Sequence, residues 1–254
     1  MKNNKSLGQH WLKDRAILDS IADLAMSDGV NHCVEIGPGL GTLTSSLLRR
    51  FKKVTAIEFD QHLALNLPKS FPGKNLIVKN ADFLAFDLES LDEKYVVAGN
   101  IPYYITSPII FKLISAKHKP QRIVLLIQKE VADRIVANVG DHTFLSLSVQ
   151  NVANVYLGPV VKRGLFTPPP KVDSEVIVIE PLPHPRVPEK VFDIIKIGFS
   201  SPRKKLTANL SAGLHIPRDE IIDIFNANHI NPDARPADLS LEDWAKLDIS
   251  FHKR

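Results

Sequence analysis

The chain has 254 residues, of which 44% are hydrophobic, enough for the core of one large domain or of a medium domain plus a small one. Its single cysteine, Cys33, excludes an internal disulfide, and no apolar run approaches the roughly 20 residues of a membrane span. The formal net charge of +4 permits binding to a nucleic acid without requiring it. We expect a soluble, cytoplasmic monomer without a metal site, in which Cys33 is a buried core thiol.

The first nucleotide-binding signal is a strand, a glycine turn and a helix in direct succession. After a predicted helix over 15–25, residues 32–36 predict a short strand, residues 37–41 a turn with three glycines, and residues 42–51 a helix. Glycines in such a turn allow positive φ and let a ligand approach the backbone closely. This succession is typical of a βα unit that binds a nucleotide.

The spacing of these glycines favours a cationic ligand over a pyrophosphate. A dinucleotide fingerprint reads Gly-x-Gly-x-x-Gly, whereas here the third glycine, Gly41, comes one residue early and Thr42 takes its expected place. Glu35, just before the turn, has no role at a pyrophosphate site. A carboxylate there suits a ligand that carries an ammonium and a sulfonium group.

Two further acids follow predicted strands. Glu58 ends the strand 54–57 about 20 residues after Gly37, where an acid reaches a ribose diol, and both NAD and S-adenosylmethionine contain one. Asp82 follows the strand 76–78 and could accept a hydrogen bond from an adenine amino group, or could simply stabilise a turn. Acids at successive strand ends predict an α/β sheet with a ligand at the carboxyl ends of its strands.

A carboxamide, a proline and an aromatic ring follow the fourth apolar run, 95–99. The side-chain oxygen of Asn100 can accept one hydrogen bond from an exocyclic amine, and the carbonyl of Ile101 or Pro102 can accept a second. Tyr103 offers a flat face for a base. This stretch therefore predicts a site for the amino group of a nucleobase.

Strands and helices continue to alternate through the next 75 or so residues. The predicted elements are a helix with Ser107 as N-cap and Pro108 as its first residue, a strand over 122–127, a helix over 129–136, a segment over 144–161 with both helical and strand periodicity, and a strand over 176–179. Three prolines, 168–170, stiffen a loop that could hold Phe166 opposite Tyr103; the alternative is an ordinary proline-rich connector.

Four prolines between residues 181 and 188 mark a domain boundary, so we predict a catalytic domain over 1–182 and a helical domain over 183–254. The second domain has helical patterns over 190–199, 203–214, 218–228 and 241–247, the last with a capping-box-like start at Ser240. Basic residues cluster at Arg203-Lys204-Lys205 and, in residues 1–15, at Lys2, Lys5, Lys13 and Arg15. Such clusters are more often solvated surface than polyanion sites.

Taken together, the motifs resemble those of the ribosomal RNA adenine dimethyltransferases of the KsgA type. The resemblance rests on Gln9-His10-Trp11-Leu12, residues 35–44, Glu58, Asp82, residues 100–105 and residues 166–174, and it continues through 199–210 and 235–242. It implies an α/β fold: a Rossmann-like methyltransferase sheet of seven mostly parallel strands, with a small all-α C-terminal domain. It also implies S-adenosylmethionine as methyl donor and N6,N6-dimethylation of two adjacent adenosines in the 3′-terminal hairpin of 16S ribosomal RNA, within the small ribosomal subunit.

The resemblance also implies roles for individual residues. The implied cofactor-binding residues are His10, Leu12, Glu35, Gly37, Gly39, Glu58, Asp82 and Asn100. The implied catalytic residues are Asn100, Ile101, Pro102, Tyr103 and Phe166, with the two rings on either side of the target base. The implied RNA-binding residues are Lys171, Arg203, Lys204 and Lys205.

Three segments depart from the family pattern. His10-Trp11 stand where Asn-Phe is commoner, and Ser6-Leu7 stand where a basic residue and Phe are expected. Phe144-Leu145-Ser146 replace a frequent Tyr-Gly-Arg, which removes a basic group that could contact RNA.

Three alternatives stay open at this point. The nearest is a macrolide-resistance-type 23S ribosomal RNA adenine N6-methyltransferase, which shares the cofactor motifs but is disfavoured by the loop 166–174 and by the C-terminal segment. An NAD dehydrogenase is disfavoured by the glycine spacing. A binding-only ribosome-assembly or transcription factor is disfavoured by the intact motifs.

Overall fold

The computed structural model describes residues 10–91 and 94–252. Several expectations rest on residues outside this described part, namely Lys2, Lys5, Ser6-Leu7 and Gln9. The strands are β1 (Trp11–Leu12), β2 (His32–Ile36), β3 (Lys53–Glu58), β4 (Leu76–Asn80), β5 (Tyr95–Asn100), β6 (Ile123–Gln128), β7 (Ala153–Val161), β8 (Phe166–Thr167) and β9 (Ser174–Pro181). The helices are α1 (Arg15–Leu24), α2 (Thr42–Leu47), α3 (Gln61–Asn66), α4 (Thr106–Ser115), α5 (Lys129–Ile135), α6 (Phe144–Val152), α7 (Val191–Gly198), α8 (Leu206–Leu214), α9 (Arg218–Ala227) and α10 (Leu241–His252).

Seven strands form one sheet in the order β4-β3-β2-β5-β6-β9-β7. Strands β2 to β6 pair in parallel, and β9 runs antiparallel to β6. The predicted Rossmann-like sheet of seven mostly parallel strands is therefore confirmed. Because β2, β3 and β5 are parallel neighbours, the residues that follow them meet at one edge of the sheet, where open α/β sheets bind ligands.

A second sheet, which the sequence did not predict, consists of two very short strands. Strand β1 pairs antiparallel with β8, with Trp11 opposite Thr167 and Leu12 opposite Phe166. We call this pair the ribbon. It joins the first described residues to the proline-rich loop and fixes which way Phe166 faces.

Two predicted helix starts are wrong. Helix α4 begins at Thr106 directly after a 3-10 turn over Tyr103–Ile105, so Pro108 lies within its first turn, where a missing N–H is tolerated, rather than at its first position. Helix α8 begins at Leu206 rather than at residue 203, because the N–H of Lys204 bonds the carbonyl of Ser201 in a preceding turn.

The ambiguous segment 144–161 contains both structures that its periodicity allowed. Helix α6 starts with a capping box in which the Thr143 hydroxyl accepts from the Ser146 N–H at 3.1 Å and the Ser146 hydroxyl accepts from the Thr143 N–H at 2.7 Å. The backbone then becomes extended at Ala153, where β7 begins. Ser146 is completely buried, and its side chain serves in the capping box as the partner of the N-cap residue Thr143.

The contacts of the described residues divide the chain into two units. The first extends to Ala132 and resumes with Asn154–Pro181; the second comprises Asp133–Ala153 and the residues from Leu182 onward. In the first unit, α1 and α2 pack against alternate residues of the strands, such as Val124 and Leu126 of β6. In the second, the apolar faces of α6 to α10 enclose Trp244, which is fully buried.

The assignment of one function to each domain, with a boundary at residue 182, stays a prediction.

Cys33 is fully buried in the core of the first unit, as expected. Within the part of the chain that the structure describes, no helix is both long and apolar enough to cross a membrane.

Candidate active site

A cavity of about 270 Å³ lies at the carboxyl ends of β2, β3 and β5. It brings together most of the predicted site residues, which are His10, Glu35, Gly37, Gly39, Glu58, Asp82, Asn100, Ile101, Pro102 and Tyr103. The described residues that line it include no lysine and no arginine. Three carboxyl groups line it, so it suits a cationic or hydrogen-bond-donating ligand rather than a pyrophosphate.

The glycine turn leaves room where a ligand can approach the backbone. Gly37 and Gly39 have φ of +64° and +56°, a conformation that other residues adopt only with strain. A Cβ on Gly37 would meet no atom within 4 Å, whereas one on Gly39 would lie 3.2 Å from the Trp11 ring nitrogen. The space beside Gly37 is therefore part of the cavity.

Glu35 is the most deeply buried acid in the cavity wall, with 1% of its surface exposed. Its Oε2 accepts a hydrogen bond of 2.6 Å from the Thr44 hydroxyl of α2. Burial raises the pKa of the Glu35 carboxyl to about 8, and the nearby Glu58 charge adds to the shift. A cation bound beside Glu35 would favour its ionised form.

Glu58, at the end of β3, links the glycine turn to the cavity. One carboxyl oxygen accepts from the Gly39 N–H at 3.0 Å, and the other accepts from the Asp60 N–H at 2.8 Å. Burial raises the pKa of this carboxyl, although the two backbone bonds oppose the shift. Each oxygen keeps a further lone pair, so Glu58 can still accept from ribose hydroxyls.

Asp82 stabilises a turn, one of the two roles that the sequence left open, while its contact with an adenine amine stays a prediction. Its Oδ1 accepts from the Leu84 N–H at 2.9 Å, which stabilises the turn after β4, and the same exposed carboxyl lines the cavity. Lining rings missed by sequence reasoning include Phe59, which is 64% exposed, and Phe83. Both directly follow a predicted acid, and that position was the available signal.

The side chain of Asn100 is held in place through its amide nitrogen. Its Nδ2 donates to the backbone carbonyl of His10 at 3.0 Å. The side-chain oxygen is therefore the atom that remains for a donor in the cavity.

Tyr103 is also fixed in place, because its hydroxyl lies 2.7 Å from the hydroxyl of the fully buried Ser174. Burial raises the pKa of the Tyr103 phenol.

Some predicted residues are not at the cavity. Phe166 is 3% exposed and packs in the core beside its ribbon partner Leu12, which is 1% exposed. The predicted pairing of Phe166 with Tyr103 across the site is thus not formed in this structure, because β8 turns the Phe166 ring inward. The predicted RNA contacts Lys171, Arg203, Lys204 and Lys205 are exposed.

The polar groups that line the cavity fit S-adenosylmethionine. Glu35 and the glycine turn suit the cationic methionine part, Glu58 suits the ribose diol, and Asp82 suits the adenine amine. Asn100 adds an acceptor for a second amine. The fold and the site therefore define an S-adenosylmethionine-dependent methyltransferase with a nucleobase amine as its acceptor.

Comparison with known proteins gives the family. The model of the ribosomal RNA adenine dimethylase family matches residues 1–253. A Ribosomal RNA small subunit methyltransferase A from Dehalococcoides mccartyi (strain CBDB1) is 39% identical, with 99% of this chain and 89% of the relative covered. A protein of the same name from Acaryochloris marina (strain MBIC 11017) is also 39% identical, with 98% and 97% covered. The chain belongs to the ribosomal RNA adenine dimethylase family, as its motifs predicted.

Two solved structures are similar over almost the whole chain. A dimethyladenosine transferase from Plasmodium falciparum has a TM-score of 0.81 and 32% identity, with 96% of this chain and 98% of that chain covered. The 23S rRNA methyltransferase ErmE has a TM-score of 0.76 and 28% identity, with 93% and 97% covered.

Proposed function

We propose that this protein transfers methyl groups from S-adenosylmethionine to N6 of two adjacent adenosines in the 3′-terminal hairpin of 16S ribosomal RNA, and that its substrate is the small ribosomal subunit. The observation that carries the chemistry is the position of Asn100. Its side-chain nitrogen donates to the backbone carbonyl of His10, so its side-chain oxygen remains for a donor in the cavity. The names of the relatives at 39% identity support the small subunit as substrate.

The chemical problem is the weak nucleophilicity of an adenine amine, because its lone pair is delocalised into the ring. S-adenosylmethionine supplies an electrophilic methyl group on a sulfonium. The protein's part is to hold the amine: Asn100 Oδ1 accepts one N6 hydrogen, and the carbonyl of Ile101 or Pro102 accepts the other. Two acceptors placed in this way favour a pyramidal nitrogen whose lone pair points out of the ring plane.

Positioning is then the main catalytic contribution. Correct orientation of two reactants can supply about 7–11 kcal/mol of a barrier. No side chain has to act as a strong base, since the methylated amine is cationic and loses its proton readily. The target adenosine must leave its stack to reach the cavity, as base-modifying enzymes require. For the second transfer the site must also accommodate the first methyl group.

The similarity to a 23S enzyme makes the large subunit the specific alternative substrate. The deciding experiment incubates the protein with labelled S-adenosylmethionine and either small or large ribosomal subunits that lack the modification. Nucleosides are then analysed by mass spectrometry. We expect N6,N6-dimethyladenosine in the small subunit; dimethyladenosine only in the large subunit would overturn the proposal.

A further inference from the structure

Lys112 of α4 contacts the turn that follows Asp82. Its Nζ donates to the carbonyl oxygen of Leu84 at 2.8 Å and to that of Phe86 at 2.6 Å. The same ammonium lies 5.8 Å from the centre of the Phe83 ring, a distance at which a cation is attracted to the face of the ring. The residue is half-buried, so these contacts are partly shielded from water. A single side chain therefore holds residues 83–86 against α4.

The turn that Lys112 binds forms part of the cavity wall. Asp82, Phe83 and Leu84 all line the cavity, whereas Lys112 is not among the described residues that line it. Leu84 is bonded on both sides: its N–H donates to Asp82 Oδ1 at 2.9 Å, and its carbonyl accepts from Lys112. A continuous series of hydrogen bonds thus leads from the ammonium to the carboxyl group. Because Oδ1 takes the Leu84 N–H, Oδ2 remains for the amino group of a bound adenine.

Hydrogen bonds inside the turn fix its shape, and Lys112 ties it to α4. The N–H groups of Ala85 and Phe86 bond carbonyls three residues earlier, at 3.0 and 3.2 Å. These bonds close the turn on itself and do not set its distance from the rest of the cavity. Helix α4 begins directly after residues 100–105, the stretch proposed to hold the acceptor amine. The lysine therefore joins the cofactor side of the cavity to the acceptor side.

We propose that Lys112 is a positioning residue for the adenine of S-adenosylmethionine, which holds the turn 82–86 so that Asp82 faces the adenine amine. This inference rests on the predicted contact of Asp82 with that amine. The competing assignment gives Lys112 a role in stability alone. It differs in its consequence, because a general loss of stability weakens every ligand of the cavity by the same factor.

The test measures the preference of the full-length protein for adenine over hypoxanthine. Calorimetry gives the dissociation constants of S-adenosylhomocysteine and of S-inosylhomocysteine, in which an oxygen atom replaces the amine. We expect wild type to bind the adenine ligand about tenfold more tightly or more, since the other ligand leaves the Asp82 carboxyl without its donor. Because both constants come from the same variant, any loss of folded protein cancels from their ratio.

The substitutions separate the ammonium from the rest of the side chain. We expect Lys112→Met, which keeps the length of the side chain and removes its charge, to lower the ratio to about threefold or less. Lys112→Arg keeps a cationic donor and should retain more of the preference than Lys112→Met. Lys117→Met, at an exposed lysine after the end of α4, is the matched control and should keep the wild-type ratio.

A double substitution asks whether Lys112 acts through Asp82. Asp82→Ala should lose the preference by itself, and adding Lys112→Met to it should change the ratio by less than about twofold. A larger change would overturn the inference, and so would an unchanged ratio in Lys112→Met, even if both ligands bind more weakly. A wild-type protein without the preference would overturn it as well, because Asp82 would then make no contact with the amine. None of these measurements uses RNA, so the proposed methylation of the small subunit is tested separately.

Discussion

Among the single residues of the site, Glu35 has the most unusual environment. It is buried in the cavity wall with the Thr44 hydroxyl as hydrogen-bond donor, and its pKa is raised to about 8. Without a cation beside it, the carboxyl is therefore mostly protonated at pH 7. A cationic cofactor would favour its ionisation, so binding should release a proton and should weaken as the pH falls.

The raised pKa of Glu35 predicts a pH-dependent stability of the protein without cofactor. Between about pH 4.5 and 8 the folded state keeps a proton that the unfolded state has lost, so this carboxyl lowers stability as the pH rises through that window. We expect Glu35→Gln to unfold at higher urea than wild type at pH 8.5, with the difference shrinking toward pH 5. Glu242→Gln, an exposed control in α10, should follow wild type. Parallel pH profiles for Glu35→Gln and wild type would contradict the assignment.

Asn100 is the residue on which catalysis should depend most. We expect Asn100→Ala to lower turnover on small subunits about 100-fold or more, the usual effect of removing one preorganised polar group. Initial rates from labelled methyl incorporation measure this, and circular dichroism shows that the fold survives. Asn75→Ala, an exposed asparagine before β4, should behave as wild type. Near-normal methylation by a folded Asn100→Ala protein would remove Asn100 from the mechanism.

Among the elements, α6 shows what local sequence decides and what it leaves open. Apolar residues in 144–161 fit both a helix and a strand, and the periodicity alone could not separate them. The capping box of Thr143 and Ser146 starts a helix, and the extended backbone at Ala153 ends it. The departure at Ser146 from the family's basic residue is thus accompanied by a structural role for the serine.

The Thr143 cap should therefore stabilise the second unit. We expect Thr143→Ala to lower the free energy of unfolding by about 1 kcal/mol, within the usual range for losing an N-cap side chain. Urea denaturation measures this difference. Ser115→Ala, an exposed position at the end of α4, is the matched control and should change stability by less than about 0.5 kcal/mol. An equal effect of the two substitutions would show that the cap does not contribute.

Sequence reasoning succeeded where the signal is local. The parallel strands are short apolar runs bounded by turns, and the residues of the site follow from their place at strand ends, which is how Glu58, Asp82 and Asn100 were found. The ribbon could not be predicted, because two-residue strands more than 150 positions apart leave no periodic pattern. The burial of Phe166 depends on that pairing and was missed for the same reason.

At the scale of the whole molecule, the excess of basic residues is small and must act through local clusters. Arg203 and Lys204 are exposed on the turn before α8 in the second unit. Lys205 differs from them, because its ammonium lies 2.5 Å from the Asp233 carboxylate. The two preceding residues are therefore better candidates for phosphate contacts than Lys205.

This difference predicts the salt dependence of RNA binding. Each lost phosphate contact lowers the slope of log K against log salt by roughly 0.7–0.9. We expect Arg203→Gln with Lys204→Gln to lower the slope by up to about 2, and Lys205→Gln to have a smaller effect. Filter binding to small-subunit RNA at several salt concentrations measures the slope. The control is Lys74→Gln with Lys79→Gln, two exposed lysines of which the first precedes β4 and the second lies within it. A slope that is the same in all variants would exclude these contacts.

The ribbon also sets an order of events when the chain is made. His10 and Pro168, whose side chain and carbonyl are bonded, are 158 positions apart. At roughly 5–20 residues per second, His10 is added to the growing chain about 8 to 30 s before Pro168. Strands β2 to β6 can pair during that interval, but β1 has no partner until β8 exists. The part of the cavity wall that is translated first is therefore among the last to reach its final place.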